Sequence, residues 1–386
     1  MKEITELFKA RQQAPGVPHA VATVLRVEGS SYRRPGARML VNIHGRVAGS
    51  VSGGCLERSV IAQAQKAIAD NRMQLIMFDT TDQDDLAFGS SLGCQGKIWI
   101  GIEVLKAGQE WGLDSLVRNV RERREPAALL TRILHQGSEV RFEWDAVFAG
   151  ETSANAQDSF ANTWHAETQE VLVLRKSGFV GDELRDAAFI EWLAPPLSLL
   201  LFGGGPDVPP MVRLAREMGH EITVVDRRPD FAVAENFPGA DRVIAARPHQ
   251  IPTHIRPDDR TAAVVMNHHY ETDRDVLASI LPLGLRYIAL LGPRRRTDRI
   301  LAELADGGLF LADEMLASLH APAGLDLGAE TPEQIALSIL AEIQSTLAGR
   351  CGGQLRFRQA PIHVDHAEQV VEQARQPETA PSPVFA

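Results

Sequence analysis

An apolar run that breaks into glycines constrains the fold of this chain more than any other stretch. Residues 197–202 read L-S-L-L-L-F and are followed by three glycines at 203–205. A helical pattern then runs from 208 to 218, and a second apolar strand, E-I-T-V-V-D, ends at Asp226. This order of strand, glycine turn, helix and strand indicates a Rossmann βαβ unit, in which Asp226 has the place of a ribose-binding acid.

One residue of the glycine motif departs from the usual pattern. Val208 replaces the third glycine of G-x-G-x-x-G, and Pro209 and Pro210 follow it. Proline can begin a helix, so the helix itself is retained. The valine should widen the contact between helix and strand beneath a pyrophosphate. The sequence therefore predicts a nucleotide-binding type of fold that binds NAD weakly.

Further apolar strands alternate with helices after this unit. The strands are predicted at 242–245, 262–266 and 287–291, and each is apolar at nearly every position. Such strands are expected in a parallel sheet that is covered on both faces. The last helix, at 331–347, opens with the capping box T-P-E-Q. These features predict a doubly wound parallel sheet, and hence an α/β fold.

Polar residues follow the ends of these strands, where a doubly wound sheet binds its ligands. Arginine can clamp a phosphate, and histidine at a strand end suits hydrogen bonding or acid–base work. Solvated arginines and locally satisfied histidines are the alternative interpretation. The candidate cofactor-binding residues in this half are Gly203, Gly205, Asp226, His268, Arg294 and Arg295.

A second glycine motif lies near the N-terminus, where residues 49–57 read G-S-V-S-G-G-C-L-E. It joins a predicted hairpin to a predicted helix, and amides at a helix start attract anions. Cys55 would lie near the positive end of the helix dipole, which favours a thiolate. The preceding stretch contributes Arg33, Arg34 and Arg38. We predict a receptacle for an anionic, phosphate-bearing molecule with a thiol at its mouth; a buried cysteine in an ordinary turn is the competing interpretation.

The acidic stretch at 79–96 is predicted to be a long loop that ends near Cys94. Its aspartates match no calcium-loop spacing, and the three widely spaced cysteines include no C-x-x-C pair. We therefore predict no metal site, and we regard Cys94 as a weaker candidate thiol than Cys55. Residues 127–134, 139–144 and 171–174 suggest a small β meander without recognisable chemistry.

Charge and hydropathy exclude two classes of partner. The chain of 386 residues has a net charge of −10, so it lacks the basic field that binding of nucleic acid requires. No apolar run approaches the roughly 18 residues of a membrane span. The N-terminus is charged and helical, unlike a signal peptide. We therefore expect a cytoplasmic protein without a membrane span.

Both halves of the chain resemble one known family. The motifs G-S-S-Y-R-R-P-G-A-R-M-L-V and G-S-V-S-G-G-C-L-E resemble the first domain of the XdhC/CoxI family. M-N-H-H-Y-E-T-D, L-L-G-P-R-R-R and H-A-P-A-G-L-D-L-G-A-E-T-P-E-Q-I-A resemble its Rossmann domain. The resemblance covers roughly 17–105 and 197–347. Members of this family are accessory factors of xanthine dehydrogenase and related molybdenum hydroxylases.

The resemblance implies a domain organisation. An α+β XdhC/CoxI-like domain is expected at 1–108, and a Rossmann-like domain at 197–350. The resemblance does not cover the middle and the tail of the chain; their own residue patterns predict a linking, β-rich region at 109–196 and a partly disordered tail at 351–386.

The resemblance also implies a function. The chain would bind molybdenum cofactor, that is molybdopterin, support its sulfuration and deliver it to an apo molybdenum hydroxylase such as xanthine dehydrogenase. A cysteine desulfurase would be a second partner, and a nucleotide in the Rossmann domain would have to be compatible with Val208. Cys94 falls in the second glycine–cysteine turn of the family, although Gln95 stands where a glycine is expected. The residues that match the first-domain signature are Ser50, Ser52, Gly53, Gly54, Cys55 and Glu57, with Arg33, Arg34 and Arg38 as its basic lead-in.

Two other functions compete with this one. The first is a NAD(P)-dependent oxidoreductase that uses His268 as acid–base, and the second is a nucleotide-binding scaffold without chemistry. Val208 and the lack of a recognisable catalytic set count against the oxidoreductase, so we expect a carrier rather than a turnover enzyme. Neither half offers a complete site, so the ligand is expected between the halves or between two protomers, and the latter would require a homodimer.

Overall fold

The structure, a computed structural model, describes residues 1–29, 31–79, 96–136, 139–149, 165–174, 177–180 and 186–359. The chain divides into two compact units at the boundary between Pro195 and Pro196. Within the described ranges, no helix is long and apolar enough to cross a membrane, and no group of His, Cys, Asp and Glu could hold a metal ion. Cys94, the loop around it and the tail beyond residue 359 lie outside the described residues.

The first unit contains two antiparallel sheets with helices packed on them. Its described helices are α1 (Lys2–Gln12), α2 (Glu57–Asp70), α3 (Leu113–Arg123) and α4 (His165–Leu174). Its described strands are β1 (His19–Gly29), β2 (Arg38–Asn42), β3 (Gly45–Gly49), β4 (Gln74–Asp79), β5 (Gly96–Leu105), β6 (Ala127–Gln136), β7 (Glu139–Phe148), β8 (Gly178–Val180) and β9 (Asp186–Leu193).

Alternation along β1 gives the first sheet two buried faces. The sheet has the strand order β3-β2-β1-β5-β4. Ala20, Ala22 and Val24 point to the side that α2 covers, where they pack with Val60 and other apolar residues. The opposite face carries Val21, which shares a core with residues of α1, α3 and β6. The glycine motif at 49–57 leaves this sheet directly, because β3 ends at its first residue and α2 begins at its last.

The second sheet corrects one prediction from the sequence. Its order is β7-β6-β9-β8, so β9 is the third long strand of the meander. Residues 171–174, predicted as a strand, form the last turn of helix α4 instead. A short apolar run has no period of its own and does not distinguish a buried helix from a strand. Here Val171 packs against Ala128 and Leu130 of the sheet.

The second unit confirms the predicted doubly wound α/β fold. Its six strands lie in the order β12-β11-β10-β13-β14-β15, and all pairs are parallel. The strands are β10 (Ser198–Phe202), β11 (Glu221–Asp226), β12 (Arg242–Ala245), β13 (Thr261–Val265), β14 (Tyr287–Leu290) and β15 (Leu319–His320). The helices are α5 (Val208–Glu217), α6 (Ile251–His254), α7 (Tyr270–Ile280), α8 (Arg294–Asp306), α9 (Asp313–Ala317) and α10 (Pro332–Leu347).

Helices cover both faces of this sheet. Helices α5 and α10 share one apolar core with it, and α7 and α8 share the other. The predicted capping box is present at α10, where Thr331 accepts from the Gln334 amide and the Gln334 side chain accepts from the Thr331 amide. Strand order reverses between β10 and β13, so the crevice expected to hold a ligand opens where these two strands end.

Candidate functional site

The glycine loop of the first unit, residues 49–57, requires glycine at its first position. Gly49 has φ of +74°, and a β-carbon there would overlap the carbonyl oxygen of Arg38 on the neighbouring strand. Gly54 also has positive φ, at +116°, but a β-carbon there would meet nothing within 4 Å. Gly53 and Gly54 are both exposed. The loop is therefore tightly joined to the sheet at its start and open to solvent at its middle.

Two side chains of the loop close it from within. Ser52 is buried, and its hydroxyl accepts hydrogen bonds from the amides of Gly54 at 3.2 Å and Leu56 at 3.1 Å. Glu57 Oε1 accepts from the Ser52 amide at 3.1 Å, and the Ser50 hydroxyl lies 2.5 Å from the same oxygen. Three backbone amides of the loop, those of Ser52, Gly54 and Leu56, thus already donate hydrogen bonds within it and are not free for an anion. The amides of Gly53 and Cys55 have no partner in the described part of the chain.

Cys55 lies at the edge of the core beneath α2. It is a free cysteine of intermediate exposure, and its side chain packs against the apolar cluster that contains Leu56 and Val60. This environment combines features of both sequence interpretations: the thiol is partly packed, yet solvent reaches it from the open middle of the loop. Glu57, the first residue of α2, keeps one carboxylate oxygen, Oε2, buried without a partner among the described residues.

The structure separates the three arginines that precede the loop. Arg38 is buried and forms a two-pronged ion pair with Glu191 of β9, at 3.0 Å between Nη1 and Oε1 and 2.5 Å between Nη2 and Oε2. Burial by itself lowers the pKa of Arg38, and the Glu191 carboxylate reverses this effect, so that the pKa lies above its ordinary value. Arg33 pairs with Glu3 of α1. Arg34 is exposed, and its side chain has no partner within the described residues, so it is the arginine most accessible to a ligand.

Tyr32 is a component of this region that reasoning from the sequence missed. Its side chain is 72% exposed, and its ring lies against Gly53 of the loop. The signal was present in the quoted motif G-S-S-Y-R-R-P-G, where a large aromatic residue stands among small and charged ones.

In the second unit, the turn after β10 approaches two neighbouring strands closely. Gly203 has φ of +132°, and a β-carbon there would lie 2.7 Å from the Met266 carbonyl oxygen. The Gly204 amide donates to Asp226 Oδ2 at 2.6 Å. Gly205 has open space around it. Val208 is fully buried in the core that α5 shares with the sheet, so the helix starts on a packed side chain where the usual motif has a glycine.

Asp226 occupies the position of a ribose-binding acid, but its acceptor sites are already in use. Its carboxylate receives four hydrogen bonds, three from Arg228 (the amide, Nε and Nη2, at 2.8–3.0 Å) and one from Gly204. Burial raises the pKa of Asp226, and these hydrogen bonds outweigh burial and lower it overall. The Arg228 guanidinium also lies 3.6 Å above the Phe231 ring. A ribose diol would have to displace Arg228 to reach this carboxylate.

A histidine–aspartate pair spans the point where strand order reverses. His268, after β13, places Nε2 at 2.7 Å from Oδ2 of Asp207, the residue that precedes α5. The backbone of His268 has φ of +56°, an uncommon conformation for a residue with a side chain. The imidazole is 53% exposed, so it stands at the crevice rather than in the core. The structure thus brings His268 to the turn that contains Gly203 and Gly205.

Arg294 and Arg295 open helix α8 after β14, and both are exposed. The next residue, Arg296, turns back and pairs with the buried Asp273 at 2.5 Å while donating to the Leu291 carbonyl at 2.9 Å. Arg296 therefore stabilises the end of the sheet, and only Arg294 and Arg295 of this run extend into solvent. Their exposure agrees with either a phosphate clamp or solvated side chains.

Comparisons with known proteins match both units to the same family. The model of the XdhC and CoxI family matches residues 12–79, and that of the XdhC Rossmann domain matches residues 199–343. The chain is 34% identical over 331 residues to a protein of Bacillus subtilis described as a probable subunit of xanthine dehydrogenase. The matched residues are 84% of this chain and 92% of that protein.

Two further similarities extend over most of the chain. It is 23% identical to the molybdenum cofactor insertion chaperone PaoD of Escherichia coli, across 88% of this chain and 86% of that protein. A crystal structure of a xanthine dehydrogenase from Bacillus halodurans superposes with a TM-score of 0.71 at 29% identity, covering 94% of this chain and 98% of that one.

Proposed function

We propose, from the premise that this chain belongs to the XdhC and CoxI family, that it is an accessory factor in the maturation of a xanthine dehydrogenase-type molybdenum hydroxylase. The observation that carries the proposal is its similarity, over most of both chains, to a molybdenum cofactor insertion chaperone. In this function, molybdenum cofactor is a cargo that the protein receives and hands on.

The glycine loop of the first unit has the chemistry that such a cargo needs. Molybdopterin carries a phosphate, a planar pterin and sulfur ligands around its metal. The loop presents the amides of Gly53 and Cys55, which have no partner among the described residues, together with a partly exposed cysteine and, nearby in sequence, the exposed Arg34. Thiolate is a soft ligand that suits a metal centre of this kind and also the transfer of sulfur. We propose Cys55 as the thiol that contacts the metal centre or relays sulfur during sulfuration.

The remaining loop residues act on the shape of the loop. The Ser52 hydroxyl and the Glu57 carboxylate accept hydrogen bonds from three backbone amides of the loop. We propose that these bonds hold the open middle of the loop in one conformation. A preformed loop loses less conformational entropy when it binds a ligand. The glycines at 53 and 54 leave the ligand free access to the backbone.

The second unit is proposed to bind an anionic or nucleotide-like group in its crevice rather than NAD. Arg228 donates hydrogen bonds to the carboxylate of Asp226, the group that would otherwise bind a ribose. The buried Val208 replaces the glycine that usually lies beneath a pyrophosphate. Gly203, Gly205 and His268 line the crevice, and Arg294 and Arg295 extend from the neighbouring turn. This arrangement disfavours the NAD(P)-dependent oxidoreductase that competes with the carrier function.

The test is cofactor content followed by activation of a client. The full-length chain should be purified after expression with molybdate, and its molybdenum and phosphorus measured against protein. Addition of the loaded protein to an apo molybdenum hydroxylase, with and without a cysteine desulfurase and cysteine, should restore activity, and more so with the desulfurase. Protein without molybdenum and phosphorus, and no activation under either condition, would show the proposal to be wrong. The homodimer and the cytoplasmic location stay predictions; sedimentation and cell fractionation test them.

A further inference from the structure

The ring of Tyr32 lies flat against the glycine loop. A β-carbon built on Gly53 would be 3.0, 3.1 and 3.4 Å from Cγ, Cδ1 and Cδ2 of the ring. Three such similar distances to atoms on both sides of the ring place Gly53 above the ring face, close to Cγ, rather than at the ring edge. A β-carbon at 3.0 Å is nearer than ordinary van der Waals contact, so a side chain at position 53 would push the ring away by a few tenths of an ångström.

The opposite face of the ring is open. Tyr32 remains 72% exposed although Gly53 covers one face, so solvent reaches the other face and the hydroxyl. One face of this ring is covered by backbone and the other face is exposed. An exposed aromatic face of this kind can stack on a planar ring of a ligand. Base-stacking surfaces of nucleic-acid-binding proteins have the same composition, an aromatic face flanked by a cation. Here the exposed cation is Arg34, two residues along the chain.

We propose that the outward face of Tyr32 is a stacking platform for the planar ring of an anionic heterocycle held at the glycine loop. The proposal rests on the proposed carrier function, and it names the part of the cargo that Tyr32 recognises, the planar conjugated portion of the pterin. Tyr32 is then a binding residue that selects a flat ring, whereas the thiol of Cys55 and the loop amides contact other parts of the cofactor.

The experiment measures binding of a planar pterin to the full-length chain and to two variants. Pterin-6-carboxylate is planar, anionic and fluorescent, so its affinity can be titrated directly. Tyr32→Phe keeps the ring and removes the hydroxyl, and its affinity should stay within about two-fold of wild type. Tyr32→Leu keeps an apolar cover over Gly53 but has no aromatic face, and its affinity should fall about ten-fold, which corresponds to about 1.4 kcal/mol. Molybdenum cofactor released from a purified molybdoenzyme should bind to wild type and the two variants in the same order of affinity.

A substitution in the loop tests the contact itself. Gly53→Ala would place a methyl group 3.0 Å from the ring and shift the ring by a few tenths of an ångström. It should weaken pterin binding when Tyr32 is present and have a much smaller effect in the Tyr32→Leu background. Such non-additivity is expected of residues in direct contact. Urea midpoints measured for each variant exclude unfolding as the cause.

The possible results separate this inference from the carrier function. Equal pterin affinity in wild type and Tyr32→Leu would overturn the platform, even if the protein still carries molybdenum and activates a client. Failure of wild type to bind the pterin would also overturn it. Pterin binding that depends on the ring at position 32, in a protein that never activates a client, would support the platform and contradict the carrier function.

Discussion

Replacing Arg38 with methionine should destabilise the first unit without removing its ligand site. The two Arg38–Glu191 contacts are 3.0 and 2.5 Å long, and the paired side chains are only 3% and 10% exposed. Methionine is of similar length but has no charge, so the Glu191 carboxylate would stay buried without a partner. Breaking one side of a buried pair in this way costs about 3–5 kcal/mol.

The chain offers a selective reporter for this effect. All five tryptophans precede Pro196, so tryptophan fluorescence follows unfolding of the first unit. With a urea m-value of about 2 kcal/mol per molar, a loss of about 4 kcal/mol lowers the midpoint by about 2 M. Arg34→Met is the matched control; because Arg34 is exposed, its free energy of unfolding should change by no more than about 0.5 kcal/mol. Arg34→Met should, however, weaken cofactor retention. Arg38→Met should leave the amount of cofactor bound per folded molecule unchanged.

A second variant checks the cause. Arg38→Met combined with Glu191→Met should recover much of the lost stability, because an apolar pair replaces the ionic one. The reasoning is refuted if Arg38→Met keeps the wild-type stability within about 1 kcal/mol, and still more clearly if it then loses the cofactor.

Three other predictions concern the thiols, the crevice and a buried histidine. Cys55→Ala should reduce retained molybdenum or client sulfuration while Cys351→Ala, at an exposed position after α10, should change neither; equal behaviour of the two variants would contradict this. Because Arg228 occupies the carboxylate of Asp226, calorimetry should give NAD⁺ a dissociation constant well above 1 μM. A constant of 1 μM corresponds to a binding free energy of about −8 kcal/mol, and binding as tight as that or tighter would revive the oxidoreductase. Burial, with a smaller contribution from nearby positive charge, lowers the pKa of His220 from 6.5 to about 4, so the second unit should lose about 3 kcal/mol of stability as the pH falls across that window. His220→Gln should lack this loss in urea titrations followed by circular dichroism, and an unchanged pH dependence would exclude His220 as its source.

The sequence predicted the fold class of the second unit and five of its six strands, but not the short edge strand β15 (Leu319–His320). Glycines at the end of an apolar run, and strands apolar at nearly every position, are local signals of a parallel sheet covered on both faces. The capping box of α10 is equally local, since its two hydrogen bonds lie within one turn. Such features depend on neighbouring residues and therefore can be read in order along the chain.

The sequence predicted the first unit less well. The run at 171–174 fits either a strand or a helix, and only its packing on Ala128 and Leu130 decided for the helix. The glycine loop was identified, but its internal hydrogen bonds were not. A serine hydroxyl can accept from a loop amide or face a ligand, and composition does not distinguish the two.

By itself, the sequence determined which residue types meet at each turn, because glycine, proline and apolar periodicity act over a few residues. Only the tertiary structure decided what those residues are free to do. Arg38 is separated by 153 residues from the carboxylate that holds it, whereas Arg34 is left in solvent. Asp226 is occupied by Arg228, and Tyr32 is laid across Gly53. A charge or a ring becomes available to a ligand only when the folded chain leaves it without a partner, and that partner can be two residues away, as for Asp226, or 153 residues away, as for Arg38.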